Sequence, residues 1–346
     1  MALQLFDAAG YLDIRAILAT GSPFIFIVGG RGIGKTYGAL KTAVEDKRFF
    51  MYMRRTQAQV DIVNKSEFNP FNSINRDEGL DIRPRPFTKY NSVFEAHEPD
   101  PASGEDMAEP VGYTCALSTI SNLRSFDASA VDLLIYDEFI ADKHDRPIKY
   151  EGSAFLGAIE TIGRNRELRG ENPLQVLCLA NAVDLANPIY LELNLVNVAM
   201  KMKEKGQQIR KDGRRGYLMI NLDVTPIGQK KKDTALYRLA ADDSEFSRMA
   251  ISNEYSFEEI GSIKPRRLVE YVPLVRIGEI CIYKHKSDRL YYVSQHASGS
   301  PDVLTAGEAD RARFKKKYYY LWIAYLDGRI EFESYLAQVL FERYNK

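Results

Sequence analysis

The sequence predicts an α/β fold built on a mostly parallel sheet flanked by helices, followed by a smaller α+β domain. Short apolar runs alternate with helix-like segments from the N-terminus to about Val198, which is typical of a sheet with helices on its faces. A glycine-rich loop directly follows the first apolar run. After Val198 the composition changes, because residues 201–216 hold seven basic and two acidic side chains. We therefore expect two domains.

The expected strands of the sheet are rich in β-branched and aromatic residues, as buried parallel strands usually are. They are Phe24 to Val28, Phe49 to Arg54, Tyr113 to Ser118, Val131 to Asp137 and Leu174 to Ala180. Residues 99–110, PDPASGEDMAEP, carry the proline, glycine and acidic content of an exposed loop. They are predicted to form the tip of an antiparallel insert.

The domain boundaries follow from the same composition. We predict a first domain over residues 1–198, a basic linker over 199–228 and a smaller α+β domain over 229–346. In this last domain, RLVEYVPLVRIGEICIYKH, RLYYVSQH and YYYLWIAYLDGRIEFE are expected to be strand-rich, and SYLAQVLFERYNK is expected to form an amphipathic helix.

Charge and cysteine content exclude several classes of protein. Lys plus Arg and Asp plus Glu are equal at 47 each, so the chain has no overall charge that would attract nucleic acid or a membrane. Cys115, Cys178 and Cys281 stand singly in apolar runs without zinc spacing, and we expect buried, reduced thiols. Neither a signal peptide nor a run of about 18 apolar residues is evident, so no membrane segment is expected.

The glycine-rich loop, GGRGIGKT, fits the phosphate-binding pattern GxxxxGK[ST] between a strand and a helix. Lys35 is expected to reach the β- and γ-phosphates of a nucleotide, and Thr36 to offer its hydroxyl to Mg²⁺. The backbone amides of the loop are expected to surround the phosphates. These loop residues are Gly29, Gly30, Arg31, Gly32, Ile33 and Gly34.

A second acidic element completes the predicted site. The apolar run VDLLIY ends in Asp137, which is expected to hold Mg²⁺, and Glu138, which is expected to polarise an attacking water. The candidate strand YTCALS intervenes between the two motifs, as in P-loop NTPases of the additional-strand (ASCE) type. A GTPase is disfavoured because the sequence from Asn181 to Asp184 lacks the lysine of the base-recognition motif Asn-Lys-x-Asp. The first domain is thus predicted to be an ATPase that uses ATP and Mg²⁺.

Two further polar groups are candidates for this site. Asn181 ends the predicted strand LQVLCLA and would sense the γ-phosphate, although it would also suit the cap of a helix beginning in NPIYLELNL. Arg164, Arg166 and Arg169 lie at a predicted helix end, where cations complement the helix dipole. Three in six residues also suggest an arginine finger that acts on a neighbouring subunit.

The strings GGRGIGKTY, YMRR, YDEFI, GRNRE, CLANAV and NPIYLELNLV resemble, in this order, the DNA-packaging (encapsidation) ATPases of phi29-like phages, which are related to large terminase motor subunits. The resemblance covers about Phe24 to Val196. It implies an ATP-driven translocase that moves double-stranded DNA into a procapsid. Its implied assembly is a homopentameric ring at the portal vertex in the host cytoplasm, with the portal and a packaging RNA as partners.

The resemblance also implies individual roles. Arg31 matches an arginine of the phosphate loop that couples nucleotide state to a neighbour, Arg164 matches the finger acting in trans, and Arg124 matches a second basic residue acting between subunits. Relatives with a nuclease carry clustered acids on a central strand, whereas EICIYKHKSD offers only the flanking Glu279 and Asp288. The second domain is therefore expected to be a vestigial RNase H-like nuclease that serves as an adaptor to DNA or portal.

Other interpretations stay open at this stage. Three basic runs, Lys201 to Arg215, Lys230 to Lys232 and Arg311 to Lys317, are candidates for DNA phosphate contacts, yet each also fits a solvated face. A helicase-like ATPase, or an assembly component that binds ATP without turnover, would share the phosphate loop; Glu138 argues against the second. Tyr11 is a candidate for stacking on the adenine base.

Overall fold

The computed structural model describes residues 3–123, 126–142, 145–181, 184–231, 233–240, 263–264 and 266–345. The chain divides into two compact units. The first comprises Met1–Leu193 and Met202–Ser256, and the second comprises Asn194–Lys201 and Phe257–Lys346.

The first unit contains a nine-stranded sheet in the order β3-β4-β5-β2-β6-β7-β1-β9-β8. Six consecutive strands in this order, from β5 to β9, are parallel to one another. The remaining strands, β3 and β4 at one edge and β8 at the other, pair antiparallel. This confirms the predicted mixed α/β fold with a mostly parallel sheet. The strands are β1 Phe24–Gly29, β2 Phe50–Arg54, β3 Ile82–Pro86, β4 Ser92–Pro99, β5 Asp106–Ala116, β6 Leu133–Asp137, β7 Gln175–Ala180, β8 Ile209–Asp212 and β9 Tyr217–Leu222.

Several helices accompany the sheet and bury apolar side chains in a core shared with its strands. Ile25 and Ile27 of β1 pack in one cluster with Leu40 of α2, all fully buried. Because a parallel strand is covered on both faces, its sequence is apolar throughout instead of alternating. The helices along this part of the chain are α1 Ile14–Leu18, α2 Lys35–Glu45, α3 Gln57–Val63, α4 Asn72–Glu78, α5 Glu151–Gly163, α6 Pro188–Glu192, α7 Val196–Glu204, α8 Pro226–Lys231 and α9 Ala235–Leu239.

All five predicted strands form part of this sheet. The predicted exposed loop at residues 99–110 lies at the tip of the antiparallel β4–β5 hairpin, but only residues 100–105 form the turn, because Pro99 ends β4 and residues 106–110 belong to β5. The structure differs from the expectation over residues 199–228. This interval, which composition marked as a linker, contains β8 and β9, and β9 pairs with the phosphate-loop strand β1. The apolar run Tyr217–Leu222 is fully buried, but the surrounding lysines and arginines dominate the composition of the stretch.

The second unit contains a five-stranded sheet in the order β13-β10-β11-β12-β14. The central three strands are antiparallel, and β13 and β14 add in parallel at the two edges. The strands are β10 Tyr271–Ile277, β11 Ile280–His285, β12 Tyr291–Ser294, β13 Asp302–Leu304 and β14 Ile330–Phe332. The helices are α10 Glu308–Lys317, α11 Tyr319–Leu326 and α12 Tyr335–Asn345.

One predicted strand of this unit is a helix instead. The aromatic run YYYLWIAYL forms α11, which buries Leu321 and Ala324 at helical spacing and leaves Tyr319 exposed. Packing of that narrow apolar stripe outweighs the strand propensity of the aromatic residues. The predicted C-terminal helix is present as α12.

Two whole-chain expectations can be compared with the structure. The three cysteines are buried and unpaired. Within the described parts of the chain, we find no helix with the length and apolar character needed to cross a membrane.

Candidate nucleotide-binding site

The phosphate loop connects β1 to α2. Gly32 and Gly34 have φ angles of 67° and 87°, in the left-handed region that glycine adopts readily. Gly34 is the N-cap of the eleven-residue helix α2 and supplies no side chain to bond its first amides. Those amides and the positive end of the helix dipole are therefore available to an anion such as a phosphate.

Lys35, the first residue of α2, lies under this loop. Its Nζ donates to the carbonyl oxygens of Gly29 and Gly30, both at 2.7 Å, and to Oδ1 of Asn181 at 2.9 Å. Burial lowers the pKa of Lys35 to about 7, although the nearby Asp137 opposes this effect. The ammonium is thus positioned within the loop by three oxygen acceptors, where it can also bind phosphate oxygens.

Asp137 lies at the carboxyl end of β6 and is almost fully buried. One of its carboxylate oxygens, Oδ2, accepts from the Thr36 hydroxyl at 2.9 Å and from the Tyr52 hydroxyl at 2.8 Å. Hydroxyl and carboxylate oxygens are the ligands that Mg²⁺ prefers. The donor set of Thr36 and Asp137 therefore fits the magnesium ion that the phosphate loop implies.

Glu138 follows Asp137 in the left-handed conformation, with φ 55°, and its side chain is 48% exposed. Arg54, at the end of β2, joins both acids: Nη1 lies 3.2 Å from Asp137, and Nη2 donates to Glu138. Burial disfavours the charged form of Arg54, but Tyr52 and the two carboxylates outweigh this effect, so the pKa of Arg54 is raised. Sequence reasoning assigned no role to Arg54 or Tyr52, although both belong to the string YMRR.

Asn181 lies at the end of β7, which stands between β1 and β6 in the sheet. This strand, and not YTCALS, separates the two motifs in space. The alternative role of Asn181 as a helix cap is wrong, because Asn187 caps α6 and accepts from the amide of Tyr190 at 3.0 Å. Asn181 instead contacts Lys35 in the site.

Arg164 is the C-cap of α5 and adopts φ 42°. Its guanidinium donates to the carbonyl of Phe126 and lies 3.4 Å from Asp127. The other two arginines of the cluster have local structural partners. Arg166 donates to the carbonyls of Ser129 and Val131, and Arg169 pairs with Glu171. Arg124 lies outside the described residues.

Two adjoining cavities surround the loop. The first, of about 400 Å³, is lined by Lys35, Thr36, Asp137, Glu138 and Asn181 among others. Arg164 is not among the described residues that line it. The second, of about 730 Å³, continues past Gly34 along Tyr11, which packs against that glycine. Tyr11, the predicted base-stacking residue, thus lies beside the phosphate loop.

Two basic side chains also lie beside the loop, and one of them, Arg31, lines the first cavity. Arg31 is 58% exposed, and its guanidinium lies 3.6 Å from Asp142. Lys231, at the end of α8, donates to the backbone carbonyl of Arg31. From the sequence, Lys231 was a candidate either for a DNA phosphate contact or for a solvated face. Its proximity to the phosphate loop was missed because it depends on the strand β9, which was not predicted.

The parallel sheet, the phosphate loop and the paired acids define a nucleotide-binding protein of the P-loop class. The family model of the Podovirus DNA encapsidation protein (Gp16) matches residues 6–296, and the chain belongs to this family. This confirms the resemblance found from the motifs, and with it a function in phage DNA packaging.

Individual relatives agree with this assignment. The DNA packaging protein of Bacillus phage phi29 is 26% identical over 257 residues, covering 72% of this chain and 67% of the relative. That of Bacillus phage B103 is 24% identical over 345 residues, covering 93% and 96%. The fold is similar to a chain of the bacteriophage Phi-29 viral genome packaging motor assembly, with a TM-score of 0.67, 19% identity and coverage of 99% and 100%.

Proposed function

We propose that the chain hydrolyses ATP and uses the energy to move double-stranded DNA into a phage procapsid. The observation that carries this proposal is the hydrogen bond from Thr36 to Asp137 in one cavity with Lys35 and Glu138. It unites the phosphate-binding and acidic elements that hydrolysis requires. A module that only binds nucleotide has no need of an acid at the position of Glu138.

Each side chain of the site then has a distinct task. Lys35 and the loop amides bind the phosphates, and Tyr11 contacts the base from the adjoining cavity. Thr36 and Asp137 would hold Mg²⁺, which when bound neutralises charge on the β- and γ-phosphates. The amide of Asn181 donates to the γ-phosphate.

Glu138 is the proposed general base. It accepts a proton from the water that attacks the γ-phosphate. In the structure Arg54 donates a hydrogen bond to one oxygen of this carboxylate, Oε2. Arg54 therefore holds the side chain of Glu138 in place, and that oxygen accepts a proton from water only after it has separated from the guanidinium.

We further propose a homomeric ring, pentameric as in the phi29-like family, in which Arg164 acts on the neighbouring subunit. Its described partners are Phe126 and Asp127 and not residues of the phosphate loop, which supports a role in trans. The expected partners are DNA, the portal of the procapsid in the host cytoplasm and a packaging RNA. Arg31 and Arg124 are proposed to act between subunits.

The assignment of Arg164 can be tested by mixing two inactive variants. Subunits carrying Arg164→Ala keep Glu138, and subunits carrying Glu138→Gln keep Arg164. If the finger acts in trans, a site forms wherever the first kind receives the arginine of the second. In a 1:1 mixture, about half of the subunits carry Glu138, and about half of the neighbours that face them carry Arg164. About a quarter of the sites are then complete, so the mixture should regain up to about a quarter of the wild-type hydrolysis rate. No recovery, with ring assembly intact, would place Arg164 in its own subunit's site.

The second unit is proposed to be a vestigial nuclease that serves as an adaptor. Glu279 and Asp288 lie on either side of β11 in sequence, just before its first residue and three residues after its last. A six-residue strand spans roughly 20 Å, so these carboxylates are too far apart to share a metal ion. Asp288 also pairs with His285 at 3.2 Å.

Hydrolysis by the purified chain, with and without linear DNA, tests the proposed function. We expect duplex DNA to stimulate hydrolysis more than single strands do. Duplex affinity should fall at least about tenfold between 50 and 200 mM salt, because phosphate contacts release counterions. Strand separation from a single-stranded tail would favour a helicase instead. ATP binding without turnover in assembled rings would favour an assembly component.

A further inference from the structure

Lys231 is held against the phosphate loop by a defined local structure. Its helix, α8, begins after Thr225, whose hydroxyl accepts from the amide of Gly228 at 3.0 Å. Ile227 packs in the core of the first unit, and Pro226 lies against Gly10. The helix follows β9, which pairs with β1 up to the start of the loop. The position of Lys231 is therefore fixed by packing on two sides.

The lysine touches the loop backbone directly. Its Nζ donates to the carbonyl of Arg31, and a Cβ built on Gly32 would collide with the same ammonium. Gly32 and Lys35 line the same cavity. The ammonium of Lys231 therefore lies on a part of the loop that borders the cavity of Lys35, and the two positive charges repel each other.

Two like charges in a partly buried place repel each other, and an anion between them relieves the repulsion. The acceptor of Lys231, the backbone carbonyl of Arg31, is neutral, whereas a phosphate oxygen carries charge and forms a stronger hydrogen bond. Burial lowers the pKa of Lys231, and among the described residues its hydrogen-bond partner is a backbone carbonyl and not a carboxylate. Bound polyphosphate would supply the missing charge.

We propose that Lys231 binds the γ-phosphate of ATP within its own subunit and makes the site prefer ATP over ADP. This proposal rests on the proposed ATPase function and adds a residue to it. When the γ-phosphate leaves, Lys231 returns to the carbonyl of Arg31. The side chain of Lys231 therefore has different partners in the ATP and ADP states.

The test compares affinities of the full-length chain for a non-hydrolysable ATP analogue and for ADP, both with Mg²⁺. Lys231→Ala should weaken binding of the analogue about tenfold, the value of one charge-assisted hydrogen bond, and leave ADP binding nearly unchanged. Lys231→Arg should restore most of the preference. The matched control is Lys230→Ala. It removes the same charge from the same helix, but Lys230 contacts the carbonyl of Ala9 and not the phosphate loop.

The outcomes separate this inference from the function on which it rests. Equal weakening of both ligands, or no change in either, would overturn the role of Lys231 while the wild-type chain still binds ATP. A similar loss of preference in Lys230→Ala would reduce the effect to general charge and would also overturn it. Failure of the wild-type chain to bind either nucleotide would instead contradict the proposed ATPase function.

Discussion

Glu138→Gln should abolish ATP hydrolysis and leave ATP binding largely intact. The substitution keeps the size of the side chain but removes the group that accepts a proton, and loss of a general base typically slows a reaction about 10²- to 10⁴-fold. Thr36, Asp137 and Lys35 are unchanged, so the phosphates and the magnesium ligands remain. Phosphate release and nucleotide affinity, measured on the same preparation with duplex DNA, check both halves of this prediction.

A matched control is Glu98→Gln on β4. It makes the same chemical change at an exposed position of the antiparallel insert, and hydrolysis should stay at the wild-type rate. Hydrolysis that survives in Glu138→Gln would mean that another group activates the water. Loss of ATP binding in the same variant would mean that the ion pair between Glu138 and Arg54 maintains the site itself.

The sequence predicted those parts of the site that are adjacent along the chain. The loop from Gly29 to Thr36 needs glycines and a lysine at fixed spacing, and Asp137 with Glu138 directly follows a buried strand. Such patterns are local, so they can be read without knowing the fold. The same reasoning predicted five of the six parallel strands, because strands buried on both faces are continuous apolar runs.

The parts that were missed depend on the order of strands. Arg54 and Tyr52 reach the acids because β2 lies directly beside β6, and Lys231 reaches the loop because β9 lies beside β1. Sheet order is a property of tertiary pairing that spacing along the chain does not encode. Tyr217–Leu222 also lay between basic segments, where average composition concealed a six-residue buried strand.

Arg55 and Glu151 form a buried ion pair behind the site. Arg55 follows Arg54, and side chains of consecutive strand residues point to opposite faces. Its Nε and Nη2 bond the two carboxylate oxygens of Glu151 at 2.7 and 3.0 Å, and both side chains are 1% exposed. Burial opposes the charge of Arg55, but the hydrogen bond and charge of Glu151 outweigh it and raise its pKa. Glu151 also begins α5, where a negative charge favours the helix dipole.

Glu151→Ala should therefore destabilise the first unit by about 3–5 kcal/mol, because among the described residues it leaves the buried guanidinium of Arg55 paired with Asp145 alone, a side chain that is 35% exposed. For a unit of this size the melting temperature should fall by about 10 °C. Thermal unfolding followed by circular dichroism measures this change. Arg83→Ala, which removes a surface ion pair with Asp81, should leave the melting temperature unchanged.

The double variant Arg55→Met with Glu151→Leu distinguishes a structural pair from a functional one. Removing both charges should restore most of the lost stability, since neither charge is then left unpaired. The pair lies between β2, which carries Arg54 to the acids, and α5, whose other end carries Arg164. A stable double variant with normal ATP hydrolysis in rings would show that the ion pair only stabilises the fold. A stable double variant with impaired hydrolysis would show that the ion pair has a functional role. It would then align two parts of one subunit, its own nucleotide site and the Arg164 finger that it presents to its neighbour.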